Sequence, residues 1–271
     1  MIYHPLLLRK PLSKDFNLLG ALKNRSNMSS LPRKALIAVS GANPPFYLDG
    51  RKTGLSFPEA LLPYNMLVGA GFEIDIASET GSFAYDDHSL EPHHLSREDQ
   101  RILRNSSYSF HEKINQQLFK AGDLAPHDYG LFFAAGGHGA MYDFPHAHHL
   151  QAIAEDIYNR GGVVGAVDQA PVILAGMHTP EGDPILKDKE ITGFTTKGEV
   201  ELKVIDKIRD DGLRTVEEMA QAVNAHYLPP SENFDDFSHI DSRIVTGANA
   251  TSTRSTVKNA IKVFEGVVGD Y

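Results

Sequence analysis

Residues 161–174 read GGVVGAVDQAPVIL and decide the fold of this chain. The apolar run at 163–167 is typical of a buried parallel strand, and helix-compatible residues resume at Gln169. Pro171 falls in the first turn of that predicted helix, where its missing N–H group costs nothing. Asp168 is therefore expected at the sharp turn between a strand and a helix. In α/β enzymes such a turn holds a nucleophile or an acid–base group beside free helix N–H donors.

Strands and helices are predicted to alternate along the rest of the chain. Further strands are expected at 34–40, 72–78, 129–135, 191–194 and 243–247. Helices are expected at 57–69, from residue 146 onward, after Gln169, at 216–223 and at 257–267. This alternation predicts one doubly wound α/β domain with a mostly parallel sheet, whose ligands bind at the carboxyl ends of the strands.

Composition divides the chain into an N-terminal extension at 1–32 and a single α/β domain at 33–271. Residues 81–125 are polar and acidic, and they are expected to form a partly helical insertion that caps the sheet. Residues 1–30 are basic, with Asp15 as their one acid. That segment is either an organelle-targeting sequence or a loosely docked extension of a cytoplasmic protein.

Charge and cysteine content exclude several function classes. The net charge of −9 argues against a nucleic-acid partner, and no apolar run approaches the ~20 residues of a membrane span. Because the chain has no cysteine, disulfides, thiolate metal sites and thiol nucleophiles are excluded. His88, His93 and His94 lie among acidic residues, but their spacing matches no metal signature. We therefore predict that the protein uses neither a metal nor another cofactor. Its predicted partner is a small-molecule substrate.

Two further segments carry candidate site residues. Glu59 lies in the first turn of the 57–69 helix, close to the end of the first strand. Gly137 and His138 follow the 129–135 strand, where glycine N–H groups can polarise a carbonyl group. His138 is either an acid–base group or a turn histidine with a structural hydrogen bond.

Ordered motifs from residue 34 to the C-terminus resemble the ThiJ/PfpI superfamily, and within it the fungal glyoxalase III-like chaperone branch. The motifs are DGRKTG (49–54), PEAL (58–61), SETG (78–81), DDHSL (86–90), GHGAMYD (137–143), ITGFT (191–195) and VTGANATS (245–252). The resemblance implies a flavodoxin-like, class I glutamine amidotransferase-like fold and allows a homodimer. It places Gly137, Tyr142, Gln169 and Glu199 among the expected binding residues.

The chain departs from this resemblance at the 168–169 turn. Family members carry AVCHGP there, with a cysteine nucleophile and a histidine partner, whereas this chain has Asp168 and Gln169. The resemblance implies that Glu59 would bond to the cysteine and that Glu199 would support the histidine. Because glyoxalase III chemistry requires a thiolate, conversion of methylglyoxal to lactate is not expected here.

Three interpretations of Asp168 remain open. In the first, Asp168 and Glu59 form a carboxyl pair that performs acid–base catalysis of the isomerase, dehydratase, hydratase or cyclase type, with His138 as a third catalytic group. In the second, the protein is a catalytically inactive homologue with a stress or chaperone role. In the third, Asp168 mimics an oxidised cysteine and caps the following helix. We favour the first, because a carboxylate beside a retained glutamate is costly unless it is used.

Overall fold

The computed structural model describes residues 31–269, and a mixed sheet lies at the centre of that range. The strands are β1 (Lys34–Ala38), β2 (Glu73–Ser78), β3 (Phe119–Lys120), β4 (Leu131–Ala134), β5 (Val163–Val167), β6 (Glu190–Ile191), β7 (His226–Tyr227), β8 (Ser238–Asp241) and β9 (Ile244–Gly247). Seven of them form the central sheet in the order β3-β2-β1-β4-β5-β9-β8, in which β8 alone is antiparallel to its neighbour. The short strands β6 and β7 pair with each other in parallel.

Helices cover both faces of this sheet. They are α1 (Phe57–Gly69), α2 (Arg97–Leu103), α3 (Ser109–Gln116), α4 (Ala140–Asp143), α5 (His148–Asn159), α6 (Thr196–Glu201), α7 (Ile205–Asp210), α8 (Val216–Ala222) and α9 (Thr253–Gly269). Alternate residues of β1 enter two separate cores, so that Leu36 packs with α5 and α8 while Ile37 packs with α1 and α9. The predicted doubly wound α/β fold is confirmed.

Helix α1 places Glu59 near the end of β1. Pro58 lies in the first turn, and Phe57, Leu61 and Leu67 are buried against the sheet. Ser56 stands at the N-cap position, as its sequence suggests, but its side chain makes no capping hydrogen bond. Instead its backbone N–H donates to the carbonyl of Gly136, which joins the start of α1 to the end of β4.

Several predicted boundaries were wrong, for local reasons. The strand expected at 191–194 ends at Ile191, because the N–H of Phe194 turns away to donate to the carbonyl of Asp168. The segment Ala170–Gly176 forms a 3₁₀ helix rather than an α-helix. Helix α9 begins at Thr253 rather than at residue 257, since side chains of its first turns bond back to preceding carbonyls, as Thr256 does to Ser252.

The insertion at 81–125 is partly helical, as expected, and also contributes to the sheet. Helices α2 and α3 lie in it, and β3 extends the sheet edge by pairing with the end of β2. The predicted extension at 1–32 falls almost wholly outside the described residues, so the extension and its targeting role stay predictions, as do the domain boundaries. No helix between residues 31 and 269 is long and apolar enough to cross a membrane.

Candidate active site

Asp168 occupies a strained turn directly after β5. Its φ of +63° is in the left-handed region, which costs a residue with a side chain roughly 1–2 kcal/mol, although aspartate tolerates it better than most. Two backbone hydrogen bonds hold this conformation: the N–H of Asp168 donates to Gly247 at 3.0 Å, and Phe194 donates to the carbonyl of Asp168 at 2.8 Å. The turn thus has the backbone geometry of a nucleophile elbow, with a carboxyl group in place of a nucleophile.

The carboxyl group of Glu59 lies against the same point of the backbone as Asp168. A methyl group on Gly136 would sit 2.2 Å from Glu59 Oε2 and 2.7 Å from Asp168 Cβ. Because both distances start from the same methyl position, Glu59 Oε2 and Asp168 Cβ cannot be further apart than the sum of the two. Both residues are buried, with exposed fractions of 3% for Glu59 and 7% for Asp168. The structure brings the predicted carboxyl pair together.

Burial raises the pKa values of both carboxyl groups, and nearby negative charges add to the effect: that of Asp168 on Glu59 and that of Glu199 on Asp168. Burial raises the pKa of Glu59 well above its usual range, and the charge of Asp168 raises it further. Burial also raises the pKa of Asp168, to about 7, against the opposing effects of His138 and of the Gly137 and Gln169 N–H groups. Glu59 Oε2 has no hydrogen-bond partner among the described residues. Glu59 therefore holds its proton more tightly than a free glutamic acid does, while Asp168 exchanges a proton near neutral pH.

His138 forms a close pair with Glu199 beside the carboxyl groups. Its Nε2 lies 2.6 Å from Glu199 Oε2, and both side chains are almost fully buried. Burial lowers the pKa of His138, but the charge and hydrogen bond of Glu199 outweigh that effect and raise it to about 9. His138 is thus an imidazolium at neutral pH, and its positive charge faces Asp168.

Local sequence explains how these two side chains meet. Gly137 adopts a φ of +114°, and a side chain there would collide with the backbone at Gly54, so the loop that carries His138 requires glycine. Thr195 caps α6 by accepting a hydrogen bond from Gly198 at 2.7 Å, which fixes Glu199 in the first turns of that helix. The pairing joins residues 61 positions apart.

Gln169 supports Glu199 from the other side. Its Nε2 donates to Glu199 Oε1 at 3.3 Å and lies 3.2 Å from Nε2 of His138. The resemblance paired Glu199 with a histidine at position 169, whereas in this chain Glu199 binds His138 and the amide of Gln169. Nothing in the sequence pattern alone indicated that exchange of partners.

These groups line an open cavity of about 340 Å³. Glu59, Asp168, Gly137 and His138 contribute to its wall. The insertion contributes further lining residues, which are Asp86, His88, Ser89 and His94. Tyr47, which the sequence gave no reason to select, also lines the cavity and donates its hydroxyl to Asp86 at 2.7 Å.

No family model matches the chain, but several curated proteins do. The chain is 42% identical to glyoxalase 3 of Candida albicans over 233 residues, and this matched region covers 86% of this chain and 98% of that protein. It is also 41% identical over 231 residues to a glutathione-independent glyoxalase of Saccharomyces cerevisiae, covering 85% of this chain and 97% of the relative. The chain belongs to the glyoxalase III-like branch of the ThiJ/PfpI superfamily.

Solved structures agree with this assignment. The crystal structure of glyoxalase III from Candida albicans superposes with a TM-score of 0.84, covering 86% of this chain and 98% of that one at 42% identity. A ThiJ/PfpI domain protein from Brachyspira murdochii shares the fold, with a TM-score of 0.53 at 14% identity over 87% of this chain and 98% of that one. This glyoxalase III-like chain nevertheless has no cysteine at all.

Three residues that were expected to bind substrate do not line the cavity of this glyoxalase III-like chain. Gln169 and Glu199 contact His138 instead. Tyr142, expected to bind substrate, lies outside the lining: its hydroxyl donates to Asp211, and its ring borders a different cavity beside Met141. The third interpretation of Asp168 also fails on geometry. Gln169 occupies the N-cap position of the following 3₁₀ helix, without a side-chain cap, while Asp168 precedes it in a conformation that N-caps do not adopt.

A histidine–carboxylate cluster lies next to the cavity. Ligand atoms of Glu91, His93 and His94 fall within 4.8 Å of one another. The guanidinium of Arg51 contacts the Glu91 carboxylate, so part of that carboxylate already has a cationic partner. The absence of a metal site stays a prediction.

Proposed function

We propose that this glyoxalase III-like protein is a thiol-independent acid–base enzyme that acts on a small carbonyl compound through Asp168 and Glu59. One observation carries the proposal: two carboxyl groups adjoin each other at the end of the sheet, both buried, and Glu59 Oε2 has no partner among the described residues. Such an arrangement lowers the stability of the folded protein, and groups of this kind are concentrated at functional sites.

The pKa values assign different roles to the two carboxyl groups. Asp168, with its pKa near 7, is the base that removes a proton from the carbon next to the carbonyl group. The electron pair moves to the carbonyl oxygen, which receives a proton from the Glu59 carboxylic acid. In an isomerisation, Asp168 returns its proton to the former carbonyl carbon, while Glu59 takes back a proton from the hydroxyl group on the deprotonated carbon, which becomes the new carbonyl group. In a dehydration, a hydroxyl group on the next carbon leaves as water with the proton that Asp168 holds, while the enol O–H returns its proton to Glu59.

The imidazolium of His138 stabilises the charge that develops during proton removal. It faces Asp168, and Glu199 keeps it protonated well above neutral pH. In the transition state Asp168 gives up negative charge while the substrate oxygen acquires it. The positive charge stabilises the anion that develops on the substrate oxygen, although it also lowers the pKa of Asp168, and neither a thiolate nor a covalent intermediate is required.

Hydrogen exchange tests the proposal directly. Hydroxyacetone in D₂O should lose its hydroxymethylene protons, followed by NMR, faster with the wild-type protein than in buffer alone. Because general acid–base catalysis contributes about 10²–10⁴-fold, Asp168→Asn and Glu59→Gln should each reduce exchange by at least about 100-fold. Both variants should melt at the wild-type temperature or above it, since each removes a buried titrating carboxyl group. Full exchange by both variants would refute the acid–base assignment.

A further inference from the structure

A second, smaller cavity adjoins the catalytic cavity. It measures about 170 Å³ and shares three lining residues with the larger one, which are Tyr47, His88 and Leu202. We call it the annex; the rest of its boundary is formed by Leu48, Asp49, Lys203 and Val204. Leu202 lines both cavities, so a molecule longer than the catalytic cavity can lie over Leu202 and reach the annex.

Two exposed leucines line the annex from distant parts of the chain. Leu48 is 86% exposed and Leu202 is 46% exposed. Single exposed apolar residues are ordinary on protein surfaces, but two that line one small cavity next to a reactive site provide apolar area for a ligand. Leu48 lies in a tight hairpin turn and Leu202 directly follows α6, so their approach depends on the tertiary fold.

The lining that the two cavities share is partly aromatic and fixed in position. The ring of Tyr47 stacks on that of His88, with ring centres 3.7 Å apart and planes 11° from parallel. The hydroxyl of Tyr47 is held by Asp86, and the hairpin is closed by a backbone hydrogen bond from Gly50 to the carbonyl of Tyr47 at 2.9 Å. A ligand therefore meets a preformed surface, so little ordering is required on binding.

The charges of the catalytic cavity restrict the reacting end of the substrate. Glu59, Asp168 and Asp86 line it, and none of its described lining residues is a lysine or an arginine. The imidazolium of His138 is already paired with Glu199, so a carboxylate or phosphate beside the reacting carbonyl group would meet the Asp168 and Asp86 carboxylates without a compensating cation among the described lining residues. The reacting end must be neutral.

We infer that the substrate is a neutral carbonyl compound that bears an aliphatic chain, with the carbonyl group at Asp168 and the chain between Leu48 and Leu202. This inference rests on the proposed acid–base function and specifies its substrate class. It distinguishes the protein from an enzyme for three-carbon compounds, which would leave the annex empty.

A series of straight-chain 1-hydroxy-2-alkanones with three to eight carbons tests the inference. Calorimetry gives the affinity of each compound, and NMR in D₂O gives its α-hydrogen exchange. Burial of a methylene group is worth about 0.8 kcal/mol, so affinity should rise roughly threefold to fourfold for each methylene that reaches the annex. In a Leu48→Ser, Leu202→Ser double variant, the affinity should no longer rise with chain length.

Val68→Ser is the matched control. Val68 is 47% exposed, like Leu202, but lies near the end of α1 and lines neither cavity, so its variant should keep the wild-type dependence on chain length. Equal affinity for all chain lengths in the wild type, or an unchanged rise in the double variant, would overturn the annex while leaving the exchange chemistry intact. An affinity that rises with chain length, without any α-hydrogen exchange, would instead support the annex and refute the proposed reaction.

Discussion

Buried carboxyl groups lie at both ends of the central sheet, and their partners differ. At the amino end, Asp75 of β2 is 5% exposed. Its carboxylate forms ion pairs with Lys34 at 2.9 Å and Lys113 at 3.6 Å, and it accepts a hydrogen bond from the Tyr129 hydroxyl at 2.9 Å. At the carboxyl end, Asp168 is similarly buried, but its cavity is lined by no lysine or arginine among the described residues.

The difference shows that burial of a carboxyl group does not by itself identify an active site. Asp75 is compensated by two ammonium groups and a hydroxyl group, which makes it a structural element that joins β1, β2 and α3. Burial and the charge of Glu199 raise the pKa of Asp168, and the imidazolium of His138 and two backbone N–H groups only partly oppose that shift. Incomplete compensation, rather than burial, separates the reactive end of the sheet from the structural end.

The largest expected effect concerns the pH dependence of exchange. Activity should rise as Asp168 loses its proton near pH 7 and fall as His138 loses its proton near pH 9. Two pH units below the pKa of Asp168, the rate should be about 100-fold lower, since the fraction of deprotonated Asp168 falls tenfold for each pH unit. Exchange measured from pH 5 to 10 checks this bell-shaped profile.

An Asp75→Asn variant is the control for that profile, because Asp75 lies at the other end of the sheet. It should shift neither limb of the curve. A profile that is flat between pH 5 and 8 in the wild type would show that Asp168 is not the base.

The next effect concerns stability against pH. The pKa of Asp168 is raised in the folded protein above its value of 3.8 in the unfolded chain, so its favourable contribution is complete below pH 4 and is lost as pH rises through about 7. Asp168→Asn removes this dependence. The stability that Asp168→Asn gains over the wild type should therefore grow between pH 4 and 7 and reach about 4 kcal/mol in the free energy of unfolding.

Urea unfolding of wild type and Asp168→Asn at a series of pH values measures this advantage. A difference that shrinks as pH rises from 4 to 7 would have the wrong sign for a carboxyl group with a raised pKa.

The smallest effect is expected at the compensated end of the sheet. Asp75→Asn leaves Lys34 and Lys113 without their carboxylate and weakens the hydrogen bond of Tyr129. The free energy of unfolding should fall by about 1–2 kcal/mol, while hydroxyacetone exchange stays at the wild-type rate. Loss of exchange with unchanged stability would contradict the division between the two ends.

Sequence reasoning predicted the fold and the elbow because both depend on local patterns. The apolar run before Asp168 and the proline after it predict the strand and the turn from the sequence alone. The motif resemblance predicted that Glu59 lies near that turn. The antiparallel β8 escaped prediction, since its residues are only partly buried and show no apolar run. Tyr142 was selected from the motif resemblance, which does not indicate where a side chain points, and it lies in α4 beside a different cavity.

The electrostatic arrangement of the site required the structure. Whether His138 was catalytic or structural could not be decided from its loop, because its partner lies on α6. Tyr47 carried no signal, since its role depends on packing against the insertion. Contacts between residues distant in the chain, rather than residue types, determine these roles.

Gly136 limits how this site can vary. It belongs to neither cavity wall and carries no chemical group, yet even an alanine there would drive a methyl group into the Glu59 carboxyl group and the carbonyl of Val167. Random mutagenesis should therefore find this position as intolerant as the catalytic carboxyl groups themselves. The two carboxyl groups can lie close together only because residue 136 has no side chain. A mutant library that varied only Glu59 and Asp168 would miss this position.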